Sequence, residues 1–324
     1  MLDENTGWAV SEQAVLRTTD GGSHWTAVSP QGLSTIGTAA SAFFRDASTA
    51  WVLIPKPPDN KTGTLYHTTD AGQSWDSAGV PFGFADLQFL NDQTGSALAG
   101  RGFAAGSEAV DVYQTSDGGQ TWDQVYSIDP TKPQGPGSLP FGGDKTGMTF
   151  LDPQHGWVTG TEPKDGYVWL FATKNGGHTW QHQDIPLPTG YMSSTVVVDP
   201  PRFFSDQDGV LPVRLFANVP QMDFYLTHDS GATWESTNLA AVDGPYDVSS
   251  LQDFWVWSGA RLEASHDGGQ TWETIQPNVN FSQIIGRLDF VSSTTGWATT
   301  MDANGNNQLY RTNDGGVTWT PLFP

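Results

Sequence analysis

The octapeptide TSDGGQTW (115–122) has six relatives along the chain: TTDGGSHW (18–25), TTDAGQSW (68–75), TKNGGHTW (173–180), THDSGATW (227–234), SHDGGQTW (265–272) and TNDGGVTW (312–319). Their third positions are spaced 50, 47, 58, 54, 38 and 47 residues apart. Self-similarity at such a period marks folds built from one supersecondary unit, each copy burying its apolar face only against its neighbours. Divided among 324 residues, seven copies leave about 46 residues each, the length of a four-stranded propeller blade.

A second signature runs in register with the first. Upstream of each octapeptide lies a turn followed by a short apolar run: TGWAV, TAWVL, TGSAL, HGWVT, DGVLP, DFWVW and TGWAT. Seven residues before the Trp position of that run stand Phe44, Phe89, Phe150, Phe203, Val248 and Phe290, with Met1 in that place for the first unit. Each unit reads as strand A around the Phe, strand B at the GW run, strand C leading into the octapeptide and strand D leaving it, with alternation in WTAV, WDQV and WETI. The expected fold is all-β: one domain over 1–324, a single seven-bladed β-propeller of four-stranded antiparallel blades. Blade boundaries are expected near 1–30, 33–80, 82–128, 140–187, 191–240, 244–279 and 281–324.

Within the octapeptide the carboxylate is expected to accept turn N–H groups and a Thr hydroxyl, glycine to supply positive φ, and Trp to pack between blades. These structural residues are Asp20, Asp70, Asp117, Asn175, Asp229, Asp267 and Asp314, with Trp25, Trp75, Trp122, Trp180, Trp234, Trp272 and Trp319. The pattern Ser/Thr-x-Asp-x-Gly-x-Thr-Trp resembles the Asp-box, or BNR, repeat. With seven short units and GW runs, the chain is most similar to the photosystem II assembly/stability factor family and its bacterial relatives. That resemblance implies a chaperone-like protein that docks a membrane-protein partner through one propeller face. Asp-box propellers also include sialidases and two-domain xyloglucan hydrolases, so a glycan-active hydrolase is the competing expectation. Unit 4 departs from the pattern through Asn175, and Ala71 and Ser230 replace the first glycine in two units.

Composition narrows the partners. Lys and Arg number 14 against 35 Asp and Glu, a net charge of −21, so a phosphate backbone is repelled and nucleic acid is not expected. Cysteine is absent, excluding disulfides, thiolate metal sites and Cys nucleophiles. No apolar run reaches bilayer length, and MLDENTGWAV lacks signal-peptide regions. A secreted or cell-surface monomer is expected, with any export signal upstream of this sequence. No cofactor or metal is expected: the calcium-like DQDG (206–209) and DANGNN (302–307) read as turns. Trp169 and Trp257, outside both signatures, are expected in the core.

In a four-stranded meander the A–B and C–D turns share one face, and the B–C and D–A loops share the other. All octapeptides fall on the first, while the long connections, such as 127–147, 55–63 and 100–109, fall on the second. Binding is therefore expected opposite the octapeptides, for a protein or glycan. Inner strand A and its entry loop bring Asp86, Asp247 and Asp289 there as candidate acid/base groups, and Asp144, Lys145, Tyr191, Tyr246 and Arg287 as candidate ligand-binding groups. A sialidase would need three convergent arginines, and Arg17 and Arg311 share one scaffold position before their octapeptides, leaving Arg287 as the best placed. Closure of the ring is expected by side-chain packing between the first and last blades.

Overall fold

The computed structural model describes residues 1–103, 106–131, 134–259, 261–281, 286–301 and 306–322. Among them every regular element is a β-strand, and each of the seven repeat units yields its own antiparallel set. Units 2, 3, 6 and 7 are four-stranded meanders in the order A-B-C-D. In unit 3, for example, Ala85–Phe89, Gly95–Phe103, Glu108–Thr115 and Asp123–Ser127 pair in sequence. The A strands of units 2 and 3, of 3 and 4, and of 6 and 7 lie alongside one another, which places strand A innermost.

Two units depart from the expected four strands. Unit 1 has three, Gly7–Val10, Val15–Thr18 and Thr26–Ala27, and residues 1–6 form none. In unit 5 strand A is interrupted at Asp199-Pro200-Pro201, because proline supplies no ladder N–H. The two pieces, Thr195–Val198 and Arg202–Phe203, both pair with Gly209–Phe216. Strand D of unit 5 is reduced to the bridges Leu226–Glu235 and Met222–Ala240. Between them Asp223, fully buried, accepts from Ser236 Oγ at 2.7 Å and from the Thr237 N–H at 3.2 Å. A carboxylate thus replaces part of the ladder. Units 4 and 5 form one eight-stranded sheet through the pair Thr161–Val197.

The second signature is a packing rule. The strand A Phe is paired with the Gly six residues later in Phe89–Gly95, Phe150–Gly156, Phe203–Gly209 and Phe290–Gly296. Each ring lies so close over its glycine that no Cβ fits there, and the Met1 side chain covers Gly7 in the same way. Unit 6 inverts the sizes, Val248 facing Phe254, which conserves volume. The next residue, Trp, reaches the following unit: Trp51 stacks on Phe89 (3.8 Å, 5°), Trp255 on Phe290 (3.9 Å, 2°) and Trp8 on Phe44 (5.5 Å, 6°). Trp169 and Trp257 are 0% and 1% exposed, in the core as expected.

The same relay closes the ring. Trp51 Nε1 donates to the Gly118 carbonyl of the next unit at 3.0 Å, and Trp297 Nε1 of unit 7 donates to Gly21 of unit 1 at 2.9 Å. Last meets first as second meets third. Among the described residues no strand of the first sheet pairs with one of the last.

Candidate functional site

The octapeptide turns bond themselves. In all seven turns the first hydroxyl, on Thr18, Thr68, Thr115, Thr173, Thr227, Ser265 or Thr312, donates to the third residue and accepts the N–H of the second glycine. Asp117 also accepts the Thr121 hydroxyl at 2.6 Å and N–H at 2.9 Å, which hold its carboxyl down at about 2. Asn175 preserves the turn: its Oδ1 accepts the Thr179 N–H at 3.0 Å while its Nδ2 donates to Thr179 Oγ1. Both positions after the acid have positive φ in every unit, Ala71 (62°) and Ser230 (61°) included.

On the inner strands, the residue before the packed Phe reaches across to the next unit. Gln88 exchanges two hydrogen bonds with the backbone of Phe150, at 2.6 and 3.0 Å. Arg202 donates to the Val248 carbonyl at 2.7 Å, Asp247 accepts the Phe290 N–H, and Asp289 receives the amino group of Met1. These are one repeat position in four units, each pinning the same stretch of the next unit, a strand A in three of the four.

That geometry shows what the acid/base candidates Asp247 and Asp289 touch. Both spend an oxygen on a backbone pin, and Asp247 is also 3.3 Å from Arg202. Burial pushes the Asp247 carboxyl up to about 6. Asp86, two positions earlier on its strand, is different: it is exposed, no partner is found for it among the described residues, and desolvation raises its carboxyl. It faces Gly147 of unit 4.

Lys145 is likewise committed. Its Nζ donates to the carbonyls of Glu108 and Gly143 at 2.9 Å and of Phe141 at 3.2 Å, and lies 4.9 Å from the Trp169 ring centre. Burial lowers it to about 8. With the Gly142 carbonyl at 3.4 Å, four acceptors share its three protons and fasten the 127–147 connection to unit 3. Tyr246 donates to Asp199 at 3.0 Å, and Tyr191 to Gln221. Asp144 and Arg287 are exposed, and the Arg287 N–H donates to Thr299 Oγ1. Arg17 and Arg311 lie over Trp8 and Trp297, and Arg45 pairs with Asp46 and Asp92.

Sequence reasoning missed a cluster between units 5 and 6. Arg214 lies 3.2 Å from Asp199 and 4.0 Å from Asp243, with its guanidinium 5.4 Å from the Tyr246 ring centre. Burial raises the Asp243 carboxyl. Three of these residues sit outside both signatures, so no recurring letter announces them. DQDG forms the A–B turn of unit 5, Asp208 bonding Ser205 and His228. DANGNN lies largely outside the described residues. Among the described residues no cluster of three or more His, Asp and Glu is placed to hold a metal, and no helix is long and apolar enough to cross a membrane.

Large apolar side chains left in water favour the face opposite the Asp-boxes. Phe84, Met192, Phe216, Val219 and Met301 stand on its loops or strand ends, against Phe204 and Val317 on the other face. Met192, Phe216 and Val219 belong to unit 5, where Thr195 pairs with Phe216 and the hydroxyl of Tyr191 reaches Gln221 beyond the Phe216–Val219 turn. A groove of about 700 Å³ opens on the other side, at the Asp-box face between units 4 and 5.

A family model described as BNR/Asp-box repeat matches residues 263–274. No curated protein matches the sequence. The fold and its turns define an Asp-box β-propeller. Among solved structures the chain is similar to YCF48 bound to D1 peptide, with 18% identity and a TM-score of 0.56 over 98% of this chain and 89% of that one. It is also similar to YCF48 from Cyanidioschyzon merolae (19%, 0.54, 97% and 91%). A GH74 xyloglucanase from Xanthomonas campestris shows 14% identity and a TM-score of 0.48 over 99% of this chain and 44% of that one.

Proposed function

We propose that this propeller is a non-catalytic binding or assembly scaffold, secreted or held at the cell surface, that docks a protein partner on the face opposite its Asp-boxes. The observation that carries this reading is the set of apolar side chains on that face, led by Met192 at 65% and Val219 at 62% exposure in unit 5. Neighbouring exposed apolar groups on variable loops of a rigid frame are the usual signature of a docking surface. The use of Asp247 and Asp289 as pins argues against paired carboxylates at the channel mouth. The similar propeller YCF48 has been solved with a D1 peptide, which supports a peptide segment as the kind of partner.

The test compares wild-type protein with the triple variant Met192→Ser, Phe216→Ser, Val219→Ser in cross-linking from intact cell envelopes. Loss of one reproducible partner, with unchanged thermal unfolding, supports the reading; identical partners overturn it. Asp86 favours the alternative, a glycan-active hydrolase, as an unpartnered carboxylate with a raised pKa on a channel strand. Turnover of any plant or bacterial glycan that Asp86→Asn abolishes would replace the scaffold by that enzyme.

A further inference from the structure

The groove between units 4 and 5 has a counterpart of about 440 Å³ between units 6 and 7, lined by the same positions of the repeat. His155 corresponds to Asp253, just before strand B; Lys174 to His266, inside the octapeptide; Gln181 to Glu273, just after its Trp. Across the groove Asp206 and Asp229 correspond to Ser293 and Asp314. At the later seam the wall is acidic, and His266 is held 2.7 Å from Asp253 and 3.7 Å from Glu273. At the earlier seam those two positions carry His155 and Gln181 and the histidine has become Lys174, while the acid on that wall, Asp152, is taken up by His155 at 2.8 Å.

Lys174 also differs from the other cations of the Asp-box face. Arg17 donates to the Ala47 carbonyl, Arg45 pairs with Asp46 and Asp92, Arg202 with Asp247, and Arg311 bonds Asn313. Among the described residues Lys174 has no such partner. Unit 4 is also the one whose octapeptide carries Asn175 in place of the acid, so no octapeptide carboxylate stands next to Lys174 in the chain. A groove of about 700 Å³ falls within the size range of small-molecule sites.

We propose that this groove is a ligand site, separate from the docking face, for a small hydroxylated carboxylate of the sugar-acid class. The carboxylate pairs with Lys174, and hydroxyl groups bond Gln181 and Asp206. A purely apolar ligand would strip water from those groups without replacing it. A dianion would set its second charge against Asp206 and Asp229.

The experiment titrates isotope-labelled protein with sodium D-glucuronate, using D-glucose and acetate as comparators at equal ionic strength. Saturating amide shifts around Lys174, Gln181 and Asp206, larger than with either comparator, are expected. Lys174→Gln should weaken glucuronate binding about tenfold, the scale of one lost charge-assisted hydrogen bond, without changing thermal unfolding. No saturation, an equal response to glucose or acetate, shifts centred on the seam between units 6 and 7, or an unaffected Lys174→Gln variant would each overturn the assignment. Partner docking on the opposite face is read by a different assay and can fail independently.

Discussion

The two faces are made by the same strands and solve opposite problems. At the Asp-box face each turn bonds itself: one hydroxyl, one carboxylate or amide and two positive-φ residues recur seven times, and the box Trp can reach backwards, as Trp75 Nε1 does to the Val28 carbonyl at 2.8 Å. At the other face the connections differ in length and chemistry from unit to unit, and apolar tips such as Met192 stand in water. A frame secured at one end leaves the loops at the other free to vary.

The sharpest test of that contrast is Trp51→Ala against Phe216→Ala. Trp51 is fully buried, stacks on Phe89 and bonds Gly118 across the seam, so its loss should cost about 3–5 kcal/mol in denaturant unfolding. Phe216, 38% exposed, should cost less than about 1 kcal/mol. Equal losses would mean that the relay of tryptophans is not what holds the ring. Gly119→Ala comes next: φ is +92° and the new Cβ would lie 2.6 Å from Leu65 Cδ2, so about 2–3 kcal/mol is expected by the same measurement.

How far these features could be read from sequence depends on whether they repeat as letters or only as positions. The octapeptide and the Phe-to-Trp spacing repeat as letters, because one shape solves the problem in almost every unit. The pin position repeats only as a place: Gln88, Arg202, Asp247 and Asp289 share a register and little chemistry, since an amide, a guanidinium and a carboxylate can each bond a neighbour's backbone. Counting back one residue from Phe89, Phe203, Val248 and Phe290 would have found them. The cluster of Arg214, Asp199 and Asp243 was not legible, because it depends on the proline interruption in strand A of unit 5.

Carboxylates on the two sorts of ground should respond to pH with opposite sign. The Thr121 hydroxyl and N–H depress Asp117, so its contribution is present above the ordinary carboxyl range and fades as pH falls toward 2. Desolvation raises Asp223 to about 6, above its unfolded value, so the folded state holds this proton more tightly. That contribution is full below about pH 4 and is lost as pH rises through 6. Asp223→Asn should therefore remove about 2 kcal/mol of the fall in stability between pH 4 and 7, measured by urea unfolding at each pH. An unchanged slope would mean that Ser236 and Thr237 offset the burial in full.

The smallest effect tests the turns themselves. Ala71 and Ser230 hold a left-handed backbone that a Cβ disfavours by about 1–2 kcal/mol, which Ala71→Gly should relieve. Glycine also frees the unfolded chain, so the net gain in stability should be below about 1 kcal/mol. Ser230→Gly relieves the same backbone but removes the hydroxyl that donates to the Asp206 carbonyl at 2.7 Å. One hydrogen bond contributes about 1 kcal/mol, so this second change should be close to neutral. Equal gains at both sites would show that the Ser230 hydroxyl adds nothing to the turn, and that the first glycine position tolerates side chains only at a uniform backbone cost.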